Sequence, residues 1–262
     1  MSMPTSGPDP STRRVDWRAW ALPGALLALW WLVTALGWVN TRLIVPPLAV
    51  LRTAVDVVQD PVFWQGAAFS VARDLSGFAL GALSGVALGS LIGASTWAAR
   101  LIGPGFHTLR QISLFAWLPL LSTWLGYGEA SKLVFISVYV LYPVTLGTIE
   151  GVRGVSQDLA DVARVHHFTR TQMFTRLILP AASPRIATGL TLGLICAWVA
   201  TIGSEFLLAN WGNGLGNIII KGRAAFNVEL IIVGMLTIGL VGTALNRLAA
   251  RLEARALAWR QH

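Results

Sequence analysis

Apolar residues run along this chain in long blocks, separated by short clusters in which the charges collect. Charge-free stretches lie between Arg18 and Arg42, Asp74 and Arg100, Arg110 and Glu129, Lys132 and Glu150, Arg185 and Glu205, and Glu229 and Arg247. Each has the length a helix needs to cross roughly 30 Å of hydrocarbon. A lone strand or loop is excluded there, because its backbone polar groups would have no partners. The pattern predicts an all-α polytopic membrane protein with six transmembrane helices, near residues 20–39, 75–97, 110–127, 132–149, 185–205 and 229–247. These fall in a membrane domain over 20–250, between an N-terminal tail (1–19) and a C-terminal tail (251–262). Residues 1–12 are rich in Pro, Ser and Gly and are expected to be disordered. The apolar block after Arg18 is too long for a signal-peptide core and is expected to remain as a membrane helix.

Within the second block Gly77, Gly81, Gly85, Gly89 and Gly93 recur every four residues. Small residues at that spacing form a groove into which another helix backbone packs closely. Pro119 and Pro143 fall inside the third and fourth blocks, where each removes a backbone donor and favours a kink.

Composition agrees with a bilayer as the solvent: 55% of residues are hydrophobic and 12% charged, against about 25% charged in soluble domains. The formal charge of +8 suggests nucleic acid until the positions of the charges are considered. With the N-terminus in the cytoplasm, 14 of the 20 basic residues fall on the cytoplasmic side, as the positive-inside rule requires. The charge therefore reads as topology, with both termini cytoplasmic, and no nucleic-acid partner is implied. Cys196, the single cysteine, lies in an apolar run and allows no disulfide or paired-cysteine metal site within the chain.

The most informative connection is EGVRGVSQDLADVARVHHFTRTQMFTRLILPAASPR, from Glu150 to Arg185. Leu159, Val162, Ala163 and His166 have helical spacing, with Ser156 or Asp158 as N-cap. Thr169 and Gln172 fit a capping box opening a second short helix, which should stop before Pro180. Ser183-Pro184 reads as the cap and first turn of the fifth span. Two short amphipathic helices of this kind fit either the lipid headgroup layer or a groove on a soluble partner.

Here the residues resemble the cytoplasmic loop of ABC-importer permeases, whose pattern is E-A-A, three residues, Gly, nine residues, then I-x-L-P. Asp161, Val162 and Ala163 fall on the E-A-A, Leu177 on the Ile, and Leu179-Pro180 on the L-P. His167 stands where the pattern has Gly. Residues 119–155, LIVPPLAVL after the first span, Ser204-Glu205, Gly214-Leu215-Gly216 and the Arg-rich C-terminus are similar to permeases importing sulfonates, taurine, nitrate or bicarbonate.

The resemblance implies the type I ABC-importer permease fold in a bacterial inner membrane. It implies a homodimer, two ATPase subunits docked on the helices at 156–180 with Asp161, Ala163 and His167 central, and a periplasmic substrate-binding protein. ATP and magnesium would belong to the partner ATPase; no cofactor is expected on this chain. No G-x-x-x-x-G-K-[ST] phosphate loop is present, and no nucleophile–base or carboxylate cluster, so neither catalytic nor metal-ligating residues are assigned. Glu205, at the outer end of the fifth span, either lines an outer gate or reaches water at the interface. Trp117, Trp124 and Trp198 are candidates for the pathway or for packing. The competing reading, an ion-gradient-driven secondary transporter, requires inverted repeats and charges deep within the spans; the six blocks carry none.

Overall fold

The computed structural model describes residues 17–40, 43–208 and 213–256. All regular elements among them are helical. The expected tail over 1–12, Arg42 and residues 257–262 lie outside the described residues.

The bundle is built around α3 (Pro61–Ala94) and α7 (Glu129–Arg153). Asp60 caps α3 by accepting from the Val62 amide at 2.9 Å, and Pro61 occupies the first turn. The helix thus starts well before residue 75, where the charge-free block begins, and Arg73 and Asp74 lie inside it. The expected boundary fails because these two groups are buried, Arg73 paired with carboxylates and Asp74 accepting from Thr201, rather than placed in water. α7 continues through Pro143. Each step of four along the glycines of α3 is met by a step of four on α7: Gly77 lies against Ile136, Gly81 against Val140, Gly85 against Val144, Gly89 against Thr148 and Gly93 against Val152. The two helices therefore run parallel. Carried back, the same register brings Ser70 level with Glu129, so the first turns of α3 project past the start of α7.

Because α3 and α7 are parallel, the chain between Ala94 and Glu129 has to return along them. It does so in pieces: α4 (Thr96–Leu101), α5 (Gly103–Leu109), a 3-10 turn (Leu114–Trp117) and α6 (Leu118–Leu125). Arg153 donates to the Ile92 carbonyl at 3.4 Å at one end, and Ser131 bonds the Gly126 carbonyl at the other. Between them Phe106 meets Tyr142, and Phe115 meets Tyr139 and Phe135. The single helix expected over 110–127 is thus replaced by an interrupted crossing. Pro119 sits in the first turn of α6, where its missing N–H costs nothing, rather than kinking a longer helix.

α10 (Leu179–Leu207) runs antiparallel beside α7, with Ala182 against Gly151, Gly189 against Gly147, and Gly193 against Val144 and Val140. Phe135, Ile136, Val140 and Val144 are fully buried, with Ala197 and Ala200 packed on them. α11 (Leu215–Ala224) and α12 (Val228–Ala256) follow. α12 packs on α10, where Trp198 donates to the Ile238 carbonyl at 3.2 Å. Its last turns take in residues 251–256, expected as tail. α1 (Trp17–Ala35) is tied to the rest by Trp30, which donates to the Val45 carbonyl at 3.0 Å. α2 (Pro47–Gln59) lays Val50 and Val57 on the Val233 side of α12.

Four segments among the described residues are long and apolar enough to cross a membrane: Pro61–Ala94, Glu129–Arg153, Arg170–Leu207 and Val228–Arg255. Ala21–Ala35 and Leu114–Leu125 are shorter apolar helices.

Candidate functional site

Three helices and a loop meet in a buried charge network at the end of the bundle where α7 begins. Arg73 is at its centre. Its guanidinium pairs with Glu205 of α10 and forks onto Glu129 of α7, at 2.6 Å from Nε and 2.8 Å from Nη2. Lys132, one turn along, donates to Glu129 at 3.2 Å. Ser70 donates to Glu205 Oε1 at 2.7 Å, and the Gly216 amide donates to Oε2 at 2.8 Å. The Leu215 amide in turn donates to Ser70 Oγ at 2.9 Å. Thr201 donates to Asp74 Oδ1 at 3.1 Å. Arg73, Asp74, Lys132 and Glu205 are all buried, whereas the Glu129 side chain is 60% exposed.

Local sequence explains the geometry. Ser70, Arg73 and Asp74 lie three to four residues apart on one helical face. A side chain on Gly214 or Gly216 would put its Cβ 2.6 and 2.8 Å from Glu205 atoms. Both positions must be glycine for the backbone to close over the carboxylate. Glu205 therefore does not reach water; it is fully enclosed, and its charge is held by Arg73, a hydroxyl and a backbone amide. In this network the charges of Arg73, Lys132, Glu129 and Glu205 neutralise one another, while Asp74 is held by the Thr201 hydroxyl alone.

The connection after α7 forms the second candidate surface. α8 (Gln157–Val165) is capped by Ser156, whose side chain accepts from the Leu159 amide. His167, in the Gly position of the loop pattern, has φ 52°, the left-handed turn that position requires. The His167 and Phe168 amides close α8 by donating to the Arg164 and Ala163 carbonyls at 2.9 and 3.1 Å. Left-handed backbone is strained for β-branched residues. His167→Val is expected to destabilise the helix pair by about 1–2 kcal/mol, and His167→Gly to preserve it. Hydrogen exchange of the α8 amides measures the difference; equal exchange in the two variants would contradict the strain argument.

Thr169 and Gln172 make both bonds of the capping box and open α9 (Arg170–Gln172). The helix does not stop before Pro180. A π-helical turn over Met173–Ile178 carries it into α10, giving one rod from Arg170 to Leu207. The wide turn admits Pro180, which has no amide to donate. Ser183 and Pro184 lie inside that rod, with Ser183 donating back to the Pro180 carbonyl at 2.8 Å, instead of capping a new helix.

The sequence-predicted loop residues do not all face one way. Ala163 is buried against the following helical turn, while Asp161 is exposed and pairs with Arg164 at 2.7 Å. Leu177 is half-buried; His167, Leu179 and Pro180 are exposed. The exposed apolar stripe is Leu159, Val162 and Val165, at 49%, 55% and 77%. Of the tryptophans, Trp198 packs between α10 and α12, Trp117 borders the core and Trp124 is exposed. Cys196 is half-buried.

The fold has a counterpart among solved structures. A crystal structure of an amino acid ABC transporter with histidines superposes with a TM-score of 0.58 at 17% identity, over 74% of this chain and 94% of that chain. Residues 85–257 match the family of binding-protein-dependent transport system inner membrane components, and the chain belongs to that family. It is 31% identical to SsuC of Escherichia coli strain K12, a permease protein assigned to aliphatic sulfonates transport, over 92% of this chain and 90% of SsuC. The nitrate import permease protein NrtB of a Synechocystis strain is 31% identical over 79% of this chain and 78% of its own. The bicarbonate transport system permease protein CmpB of Synechococcus elongatus is 32% identical over 73% and 68%. The chain is thus an ABC-type permease whose relatives include sulfonate, nitrate and bicarbonate permeases.

Proposed function

We propose that this chain forms the membrane pathway of an ATP-driven importer for a small anion such as a sulfonate, taurine, nitrate or bicarbonate. Two copies make the pore, two ATPase subunits dock on the inner face, and a periplasmic binding protein delivers cargo. The chain crosses six times with both termini in the cytoplasm. α1 and the interrupted return through α5 and α6 supply the two crossings beyond the four long helices. The chain itself carries out no hydrolysis; ATP and magnesium belong to the ATPase subunits.

One observation carries the coupling mechanism. α8 offers an apolar stripe to a partner, and the rod that follows runs unbroken from Arg170 through the bundle to Leu207, beside the charge network. A push on α8 and α9 moves α10 as a lever, and Glu205 at its far end transmits the movement to the closed outer network. Glu205 in this reading is a latch of the outer gate, held by Arg73 until α10 shifts.

The stripe and the buried Ala163 make separable predictions. Val162→Glu leaves the α8 fold intact, because the side chain points outward, and is expected to reduce recovery of the ATPase on a tagged permease by about tenfold or more. Membrane insertion and thermal stability should stay unchanged. Full ATPase recovery with Val162→Glu removes the stripe from the docking surface; failure of the native chain to recover any ATPase removes the importer reading altogether.

A further inference from the structure

The return crossing contains a break at a depth where a membrane protein rarely tolerates one. α5 ends at Leu109 and the 3-10 turn begins at Leu114; residues 110–113 between them are not helical. Both flanks of the break touch the central turns of α7. Phe106 lies 5.5 Å from Tyr142, and Phe115 lies 6.1 Å from Tyr139, ring centre to ring centre. The midpoint of α7 is Leu141, between those two tyrosines. The break therefore lies level with the middle of α7; with α7 taken as one crossing of the hydrocarbon, that is near the bilayer midplane.

Arg110 and Gln111 occupy it, and both are exposed on the single chain. Among the described residues neither has an ion pair or a side-chain hydrogen bond; the carboxylates of the outer network are all held at the end of α7. An Arg at this depth cannot reach the headgroups by extending its side chain. Facing lipid, it and the non-helical backbone beside it would be strongly unfavourable; such groups occur where they line protein or a water-filled cavity. The exposed face bearing residues 110–113 fits an aqueous space in the assembled permease. Its free positive charge sets the chemistry of that space.

We propose that Arg110, supported by Gln111, is the mid-membrane binding group for the transported oxyanion. The inference rests on the anion-importer reading above and adds the site to it. A guanidinium offers two parallel N–H donors in the spacing of two oxygens on a sulfonate, nitrate or bicarbonate. An ammonium offers one point charge without that fork. Gln111 adds one amide donor pair and no negative charge.

The test uses the complete importer, with its ATPase and binding protein, in proteoliposomes supplied with radiolabelled methanesulfonate, taurine, nitrate or bicarbonate. Native complex accumulates at least one of these. Arg110→Gln is expected to lower its uptake about tenfold or more, and Arg110→Lys to fall between, while both variants purify as intact complexes. In a Cys196→Ser background, Arg110→Cys should react with a membrane-impermeant charged methanethiosulfonate. The transported anion, and not chloride, should slow that reaction. Native-rate uptake by Arg110→Gln, or a residue 110 that the reagent never reaches, overturns the site alone. Loss of the complex in both variants assigns Arg110 to assembly and also overturns it. A native complex that carries none of the four overturns the importer reading and the site together.

Discussion

Glu205→Ala is expected to cost about 3 kcal/mol of bundle stability, because it removes the buried partner of Arg73, whose guanidinium has 3% side-chain exposure and then keeps only the exposed Glu129. Arg73→Ala should cost at least as much. It strands Glu205, which is fully buried, and also takes the fork away from Glu129. The pair is better identified by its coupling than by either single change. Removing both partners in Arg73→Met with Glu205→Met leaves only Glu129, which is 60% exposed and still bonded to Lys132. Burying two apolar groups where two charges stood is often neutral or favourable, so the double variant should melt well above the sum of the singles. Thermal unfolding of detergent-solubilised protein gives all four corners of the cycle. Additive losses would show that Arg73 and Glu205 act independently, contrary to the geometry. The same double variant tests the latch: with stability recovered but the charge pair gone, importer activity should remain impaired, since no ionic contact then ties α10 to α3.

How much of this was readable from residues alone depended on the distance over which each interaction acts. Local chemistry was legible. Thr169 and Gln172 announced their capping box. The glycine repeat in α3 predicted close helix packing because its period is a property of one helix, although not that α7 would be the partner or that the two run parallel. Helix limits were misread wherever charge stood as a proxy for water. Arg73 and Asp74 ended a charge-free block, yet α3 continues to Pro61, since their partners come from α7 and α10. Nothing near Glu205 in sequence reveals Ser70 or Arg73. Gly214 and Gly216 were the only local sign that a backbone closes over a carboxylate. The amphipathic spacing of Leu159, Val162 and Ala163 was correct as a period, but it could not say which side faces the following turn; burial puts Ala163 there and leaves the other two outward. The interrupted return crossing had one legible mark, Pro119. A break of four residues leaves no mark in the sequence when it begins at Arg110, the charge that bounds the apolar block.

The α3–α7 interface carries the second large expected effect, at Gly81. A Cβ there would stand 2.5 Å from the Ser137 carbonyl oxygen and 2.6 Å from Val140 Cβ. Backbone cannot yield as the end of a flexible side chain can, and Val140 is itself fully buried. Gly81→Ala should therefore cost about 1–3 kcal/mol by overpacking, and Gly81→Leu should push the two helices apart and abolish recovery of monodisperse protein. Gly239 on α12 is the control: nothing lies within 4 Å of its Cβ position, so Gly239→Ala should be neutral or stabilise by up to about 1 kcal/mol through helix propensity. Opposite signs for one chemical change at two helical glycines separate packing from propensity, and size-exclusion profiles with melting curves read both. The consequence extends to the charge network, because Gly81 lies two turns along α3 from Arg73, about 12 Å. If α3 is pushed away from α7, Arg73 loses its reach to Glu129. Gly81→Ala combined with Arg73→Ala is then expected to cost less than the two changes taken singly. A simple sum would mean that the glycine groove and the ion cluster hold the two helices together independently.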